Sequence, residues 1–178
     1  MKFNIKSFLF HILVPLMLSF TITMLLPDYS EYLQSIKQPL VLPSIVFMIV
    51  WPILYILIGV SAYFIDNSNN KNSPKAMKYY YIQLFINLSY SFVFFYLHNI
   101  PIATIITLSL LVLSIIVFIK FIKINKIAGY LFIPYILWLL IANYLQVGIY
   151  FLNYKPSKFE GYFCFKALIS IYRFLSCN

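Results

Sequence analysis

Charge is scarce in this chain. Only 10% of its 178 residues are charged, against roughly 25% in an ordinary soluble domain, while 63% are hydrophobic and the mean hydropathy is +0.90. That balance excludes a water-soluble globule. Glycine is nearly as rare, with four in the whole chain, none of them in a glycine-rich phosphate loop, which argues against an ATP-driven pump. The two cysteines, Cys164 and Cys177, form no Cys-x-x-Cys and have no paired histidines nearby, so neither a zinc site nor a c-type haem attachment is supported. No metal site is expected. Acidic residues number four against thirteen lysines and arginines. The net charge of +9 is read as membrane topology and attraction to anionic headgroups, with no sign of a nucleic-acid site.

Where charge is missing altogether, the architecture shows. Residues 7–27, 38–65, 79–119 and 127–154 contain no Asp, Glu, Lys or Arg. A helix needs about 20 residues to cross the hydrocarbon core, so three of these gaps fit one span each and the longest fits two. The break in the long gap falls at His98-Asn99-Ile100-Pro101, where His98 reads as a turn residue. Runs such as Leu108-Ser109-Leu110-Leu111-Val112-Leu113 do not alternate as a membrane β-barrel requires. The expected fold is an all-α integral membrane protein, a five-transmembrane-helix bundle over residues 1–153. Its spans fall at about 8–26, 44–65, 79–97, 102–122 and 128–152.

Lys2 and Lys6 precede an apolar stretch without a small-x-small cleavage site, so this stretch is read as a retained first helix. Positive-inside counting puts the N-terminus and the 66–78 and 120–126 segments in the cytoplasm, although four cations after residue 154 then fall outside. The polar run Asp66–Pro74 is a solvated connector. Residues 154–178 form an extension in which Lys166, Ser170 and Arg173 share one face, the pattern of an amphipathic helix in the interface.

Proton and ion pathways need ionisable side chains at depth, and the spans contain none apart from His11, read as a helix-packing histidine. The polar groups that are present form stripes. Gln83, Asn87, Tyr90, Ser91 and Phe94 share one helical face, and Trp138, Ala142 and Gln146 share another, with Tyr135 and Asn143 beside them. Both stripes should face into the bundle, because hydrogen-bonding groups are costly against lipid. Two accounts fit them: interhelical glue, or a few polar anchors in the aromatic wall of a ligand cavity. The two tryptophans, Trp51 beside Pro52 and Trp138 one turn after Pro134, suit stacking on a flat aromatic ligand and equally suit core packing.

Three blocks resemble the TspO/MBR family of tryptophan-rich sensory and translocator proteins. The first runs from Tyr32-Leu33 through Lys37-Gln38-Pro39, Leu42-Pro43, Phe47, Trp51-Pro52-Ile53-Leu54-Tyr55 and Gly59 to Ala62-Tyr63. The second is Gln83-Leu84-Phe85-Ile86-Asn87-Leu88 with Tyr90-Ser91 and Phe94-Phe95. The third runs from Ala128-Gly129-Tyr130 through Pro134 and Trp138 to Ala142, Tyr144-Leu145 and Leu152-Asn153. The resemblance implies a five-helix bundle, often a homodimer, that binds tetrapyrroles such as protoporphyrin IX or haem as a sensor, transporter or light-dependent porphyrin degrader. It requires no resident cofactor. By matching positions, Tyr32, Trp51, Asn87, Tyr90, Trp138 and Ala142 would bind the ligand, with Tyr32 closing the cavity from a lid stiffened by Pro39 and Pro43. Trp51 and Trp138 would be the catalytic pair if porphyrin is degraded. Tyr90 stands where the family usually has Trp, and Leu40-Val41 replace an aromatic between the loop prolines. The cholesterol motif of eukaryotic members lacks its tyrosine at Leu145-Gln146-Val147, so cholesterol is not an expected ligand. The compartment expected is a bacterial plasma membrane. The alternative function class is a structural or partner-binding membrane protein whose aromatic bundle only packs.

Overall fold

A computed structural model describes residues 4–154, and the expected interfacial helix of the extension lies outside them. Six α-helices run in order: α1 (Ile5–Leu25), α2 (Ser30–Ser35), α3 (Ser44–Asp66), α4 (Ser73–Ser91), α5 (Ile100–Ile124) and α6 (Lys126–Tyr154). Among them α1, α3, α5 and α6 are long and apolar enough to cross a membrane. The fifth long helix, α4, falls short in apolarity because Lys75 and Lys78 occupy its first turns and Gln83 and Asn87 its body. It starts six residues before the expected span, at Ser73, with Pro74 in the first turn, where its missing N–H costs no helical hydrogen bond. A wider π-turn, Phe92–Tyr96, prolongs it.

The long helices form a ring in the order α1, α3, α6, α5, α4, with α4 returning to touch both α1 and α3. The core inside the ring includes Ile58, Ala62, Tyr80, Val117, Phe121, Phe132, Tyr135 and Leu139. Large apolar side chains on the outside, among them Met17, Met48, Phe85, Ile105 and Leu137, face where lipid would be. A second, smaller cluster gathers Phe94, Ile100, Ala103 and Ile149 at the end of the bundle beneath α2. The loop expected to be a lid therefore contains a helical turn, and Asn153 ties it down by accepting from the Lys37 N–H and donating to the Lys37 carbonyl.

Two close approaches set the ring. At Gly59 on α3 an added Cβ would lie 2.5 Å from the His11 carbonyl oxygen and 2.9 Å from Ile12 Cα, so glycine lets the α1 and α3 backbones touch. His11 is buried there, its Nδ1 on the Ser7 carbonyl at 2.8 Å and its Nε2 3.7 Å from Asp66, a packing role as expected. Two residues along, the buried Ser61 hydroxyl donates to the Ala128 carbonyl at 2.7 Å and joins α3 to α6. Replacing Gly59 by Val should push α1 off α3 and cost at least about 1–3 kcal/mol. Thermal unfolding in detergent checks this, with Gly148→Ala as the comparison at a glycine outside the α1–α3 contact.

Candidate functional site

The polar stripe of α4 meets the polar stripe of α6. Asn87 accepts from the Tyr55 hydroxyl on α3 at 3.1 Å and donates to the Tyr135 hydroxyl on α6 at 2.6 Å, and Gln83 donates to that same Tyr135 oxygen. Two turns on, Tyr90 donates to Gln146 at 2.8 Å, and Gln146 in turn donates to the Thr104 hydroxyl of α5 at 3.2 Å. Gln83, Asn87, Tyr135 and Gln146 are all buried. The pairs advance in the same direction along both helices, as parallel helices facing each other across the bundle require. Tyr90, Gln146 and Thr104 thus form one set across α4, α5 and α6, and Tyr55, Gln83, Asn87 and Tyr135 a second across α3, α4 and α6.

Trp51 lies against this set. Its ring stacks on Tyr55, with centroids 5.6 Å apart and planes 29° off parallel, so α3 presents indole and phenol side by side. Trp138 sits one turn beyond Tyr135 on α6, with Phe47 of α3 edge-on to its ring at 5.8 Å. Both tryptophans are half-buried against the main core, and Ala142 is half-buried one turn after Trp138. The Trp138 indole N–H is buried without a hydrogen-bond partner among the described residues.

Tyr32 falls elsewhere. It belongs to the second cluster, stacked on His98 at 4.0 Å and edge-on to Phe94 at 5.6 Å, its hydroxyl also buried without a partner. Burial first, and the Tyr154 phenol second, hold the Tyr32 phenol above its ordinary range, so it is a neutral donor at physiological pH. Its link to the rest runs through Phe94, which stacks on Tyr90 at 5.5 Å. The structure therefore gathers Trp51, Asn87 and Trp138 about Tyr55 and Tyr135, and Tyr32 and Tyr90 about Phe94. Two surface cavities, one between α4 and α5 and one along the Asp66–Pro74 loop, border none of these six side chains.

Sequence reasoning gave Tyr55 no polar role, although it lies one turn after Trp51 on the face that also holds Ile58 and Ala62. His98 was read only as a turn residue, yet its left-handed backbone, φ 51°, presents the imidazole to Tyr32. Nothing in the residue order points to that stack.

The model of the TspO/MBR family matches residues 11–152. This chain belongs to the TspO/MBR family. It is 25% identical over 127 residues to Protein CrtK of Rhodobacter capsulatus, a match covering 70% of this chain and 79% of the relative. It is 30% identical over 111 residues to Tryptophan-rich protein TspO of Archaeoglobus fulgidus and 29% identical over 112 residues to that of Bacillus cereus, each match covering 62% of this chain and 72% of the relative. Family membership, the apolar helices and the bacterial relatives make it an integral protein of a bacterial membrane.

If the α4–α6 set is glue as well as wall, removing one hydroxyl strands its partner. Tyr90→Phe leaves the Gln146 carbonyl oxygen buried without its donor and should cost about 1 kcal/mol. Tyr96→Phe, at an exposed ring of the same helix, should be neutral in the same denaturation series.

Proposed function

We infer that this protein is a five-span membrane receptor for a tetrapyrrole, α4 being the fifth span, and that it senses or carries that ligand. Membership of the TspO/MBR family supports a sensor or transporter role linked to tetrapyrroles in general. The observation that carries the reading is the buried Trp138 N–H, unpartnered among the described residues and one turn from Tyr135 on α6. A buried donor without an acceptor is costly, and a carboxylate such as a porphyrin propionate would satisfy it. The flat face of Trp51 over Tyr55 suits stacking of a macrocycle. Tyr32 adds a buried hydroxyl from α2 that has no partner among the described residues, in keeping with a closing role. No buried acid or base is needed for binding, and breakdown in light would draw on the excited porphyrin with Trp51 and Trp138 as redox partners. The working unit in this reading is a homodimer in the bilayer.

One observation favours the packing reading. Tyr55 donates to Asn87, and Asn87 and Gln83 both donate to Tyr135, bridging three helices as glue would. The two readings separate in one titration. Protoporphyrin IX added to detergent-purified protein should quench tryptophan fluorescence saturably at micromolar concentration, and the signal is readable because the chain has two tryptophans. Trp51→Phe and Trp138→Phe should each weaken binding roughly tenfold, about 1.4 kcal/mol, with the fold retained. Linear quenching indifferent to both substitutions would mean partitioning into the micelle and would leave the packing scaffold.

A further inference from the structure

The groove between the start of α4 and the end of α5 holds a cavity of about 320 Å³, lined by Asn72, Lys75 and Ala76 on one side and Ile116, Ile119, Lys120, Lys123 and Ile124 on the other. Three cations and no acidic side chain line it. Among the described residues the recorded ion pair is His11 with Asp66, so none of these lysines is neutralised by a carboxylate there. Lys120 is half-buried and held in place, its ammonium 4.4 Å above the Tyr79 ring. Like charges gathered in one groove repel unless an anion joins them.

The groove is also built along the membrane normal. On α5, Val112, Ile116, Lys120 and Lys123 follow one another at helical spacing on one face. Val112 and Ile116 are exposed apolar side chains, and Lys120 and Lys123 lie in the last turns. At about 1.5 Å per residue the 25 residues of α5 measure roughly 37 Å, longer than the approximately 30 Å hydrocarbon core, so its lysine end reaches the headgroup layer. The stripe therefore runs from acyl-chain depth to headgroup depth and changes from apolar to cationic on the way.

We propose that this groove is a binding site for one anionic glycerophospholipid of the surrounding leaflet, its phosphate between Lys75, Lys120 and Lys123 and an acyl chain along Ile116 and Val112. The occupant is a lipid rather than a free anion because the apolar half of the groove opens on the lipid-facing side of α5. Basic pockets between membrane helices hold anionic headgroups by this means. The site is separate from the wall formed by Trp51, Asn87 and Trp138.

Native mass spectrometry of the full chain in detergent tests this, with dioctanoyl phosphatidylglycerol, dioctanoyl phosphatidylcholine, glycerol phosphate and inorganic phosphate as probes. One phosphatidylglycerol should be retained per chain, with at least tenfold preference over phosphatidylcholine and no comparable retention of glycerol phosphate or inorganic phosphate. The triple variant Lys75→Gln, Lys120→Gln, Lys123→Gln should lose that preference. The triple variant Lys6→Gln, Lys37→Gln, Lys78→Gln, which removes the same charge elsewhere, should keep it. Ile116→Trp, which leaves every lysine in place and fills the apolar half, should also weaken retention, so a failure of the lysine variant to fold does not decide the matter. Equal retention of both lipids, equal loss in both lysine variants, or inorganic phosphate binding as well as the lipid would each overturn the proposal.

Discussion

The hydrogen bonds between α4 and α6 are the constraint on which the bundle depends. Gln83, Asn87 and Tyr90 place amide and hydroxyl groups at a depth where no water is available, and each unsatisfied group there costs several kcal/mol. Their only remedy is another side chain. Tyr135 and Gln146 provide it, and because they lie on one face of α6 the rotation of both helices about their axes is set at once. Tyr55 brings α3 into the same arrangement and Thr104 brings in α5. On its other side α3 holds α1 by a further device, the backbone contact that Gly59 allows.

That constraint places the tryptophans. Trp51 lies one turn from Tyr55, and Trp138 one turn from Tyr135, so fixing the two tyrosines puts both indoles beside the same polar set. The site is in this sense a by-product of how α4 is kept in the membrane. A helix with lysines in its first turns and amides in its body is too polar to insert comfortably alone. Packed within the ring, it presents the amides to α6 and keeps Lys75 and Lys78 exposed at the bundle's end. The same economy applies to the lysine groove, where the charges that orient the chain also line a cavity.

Much of this was legible in the residues. Charge-free runs gave the long helices because burying a charge in hydrocarbon is prohibitive, and that rule hardly depends on tertiary detail. Steps of three and four residues gave the inward faces of α4 and α6, since a polar group facing lipid is nearly as costly. Boundaries were less accessible. The start of α4 was missed because Lys75 and Lys78 ended the charge-free run, while the helix begins earlier with Pro74 in its first turn. The turn of helix at Ser30–Ser35 and the left-handed His98 escaped because both depend on what the loop docks against. For the site, matching positions gathered Tyr32 with the other five side chains. The structure instead seats it on Phe94 and His98, a tertiary contact that periodicity does not encode.

The central claim is that Asn87 and Tyr135 act as a pair holding α4 to α6. A double-mutant cycle of Asn87→Ala and Tyr135→Phe, read by reversible unfolding in mixed micelles, tests it most directly. The account predicts that the second substitution costs less once the first is made, with a coupling of about 1 kcal/mol, at the upper end for hydrogen bonds inside membranes. Additive losses, within roughly 0.3 kcal/mol, would contradict it and assign the stability of the bundle to apolar packing alone.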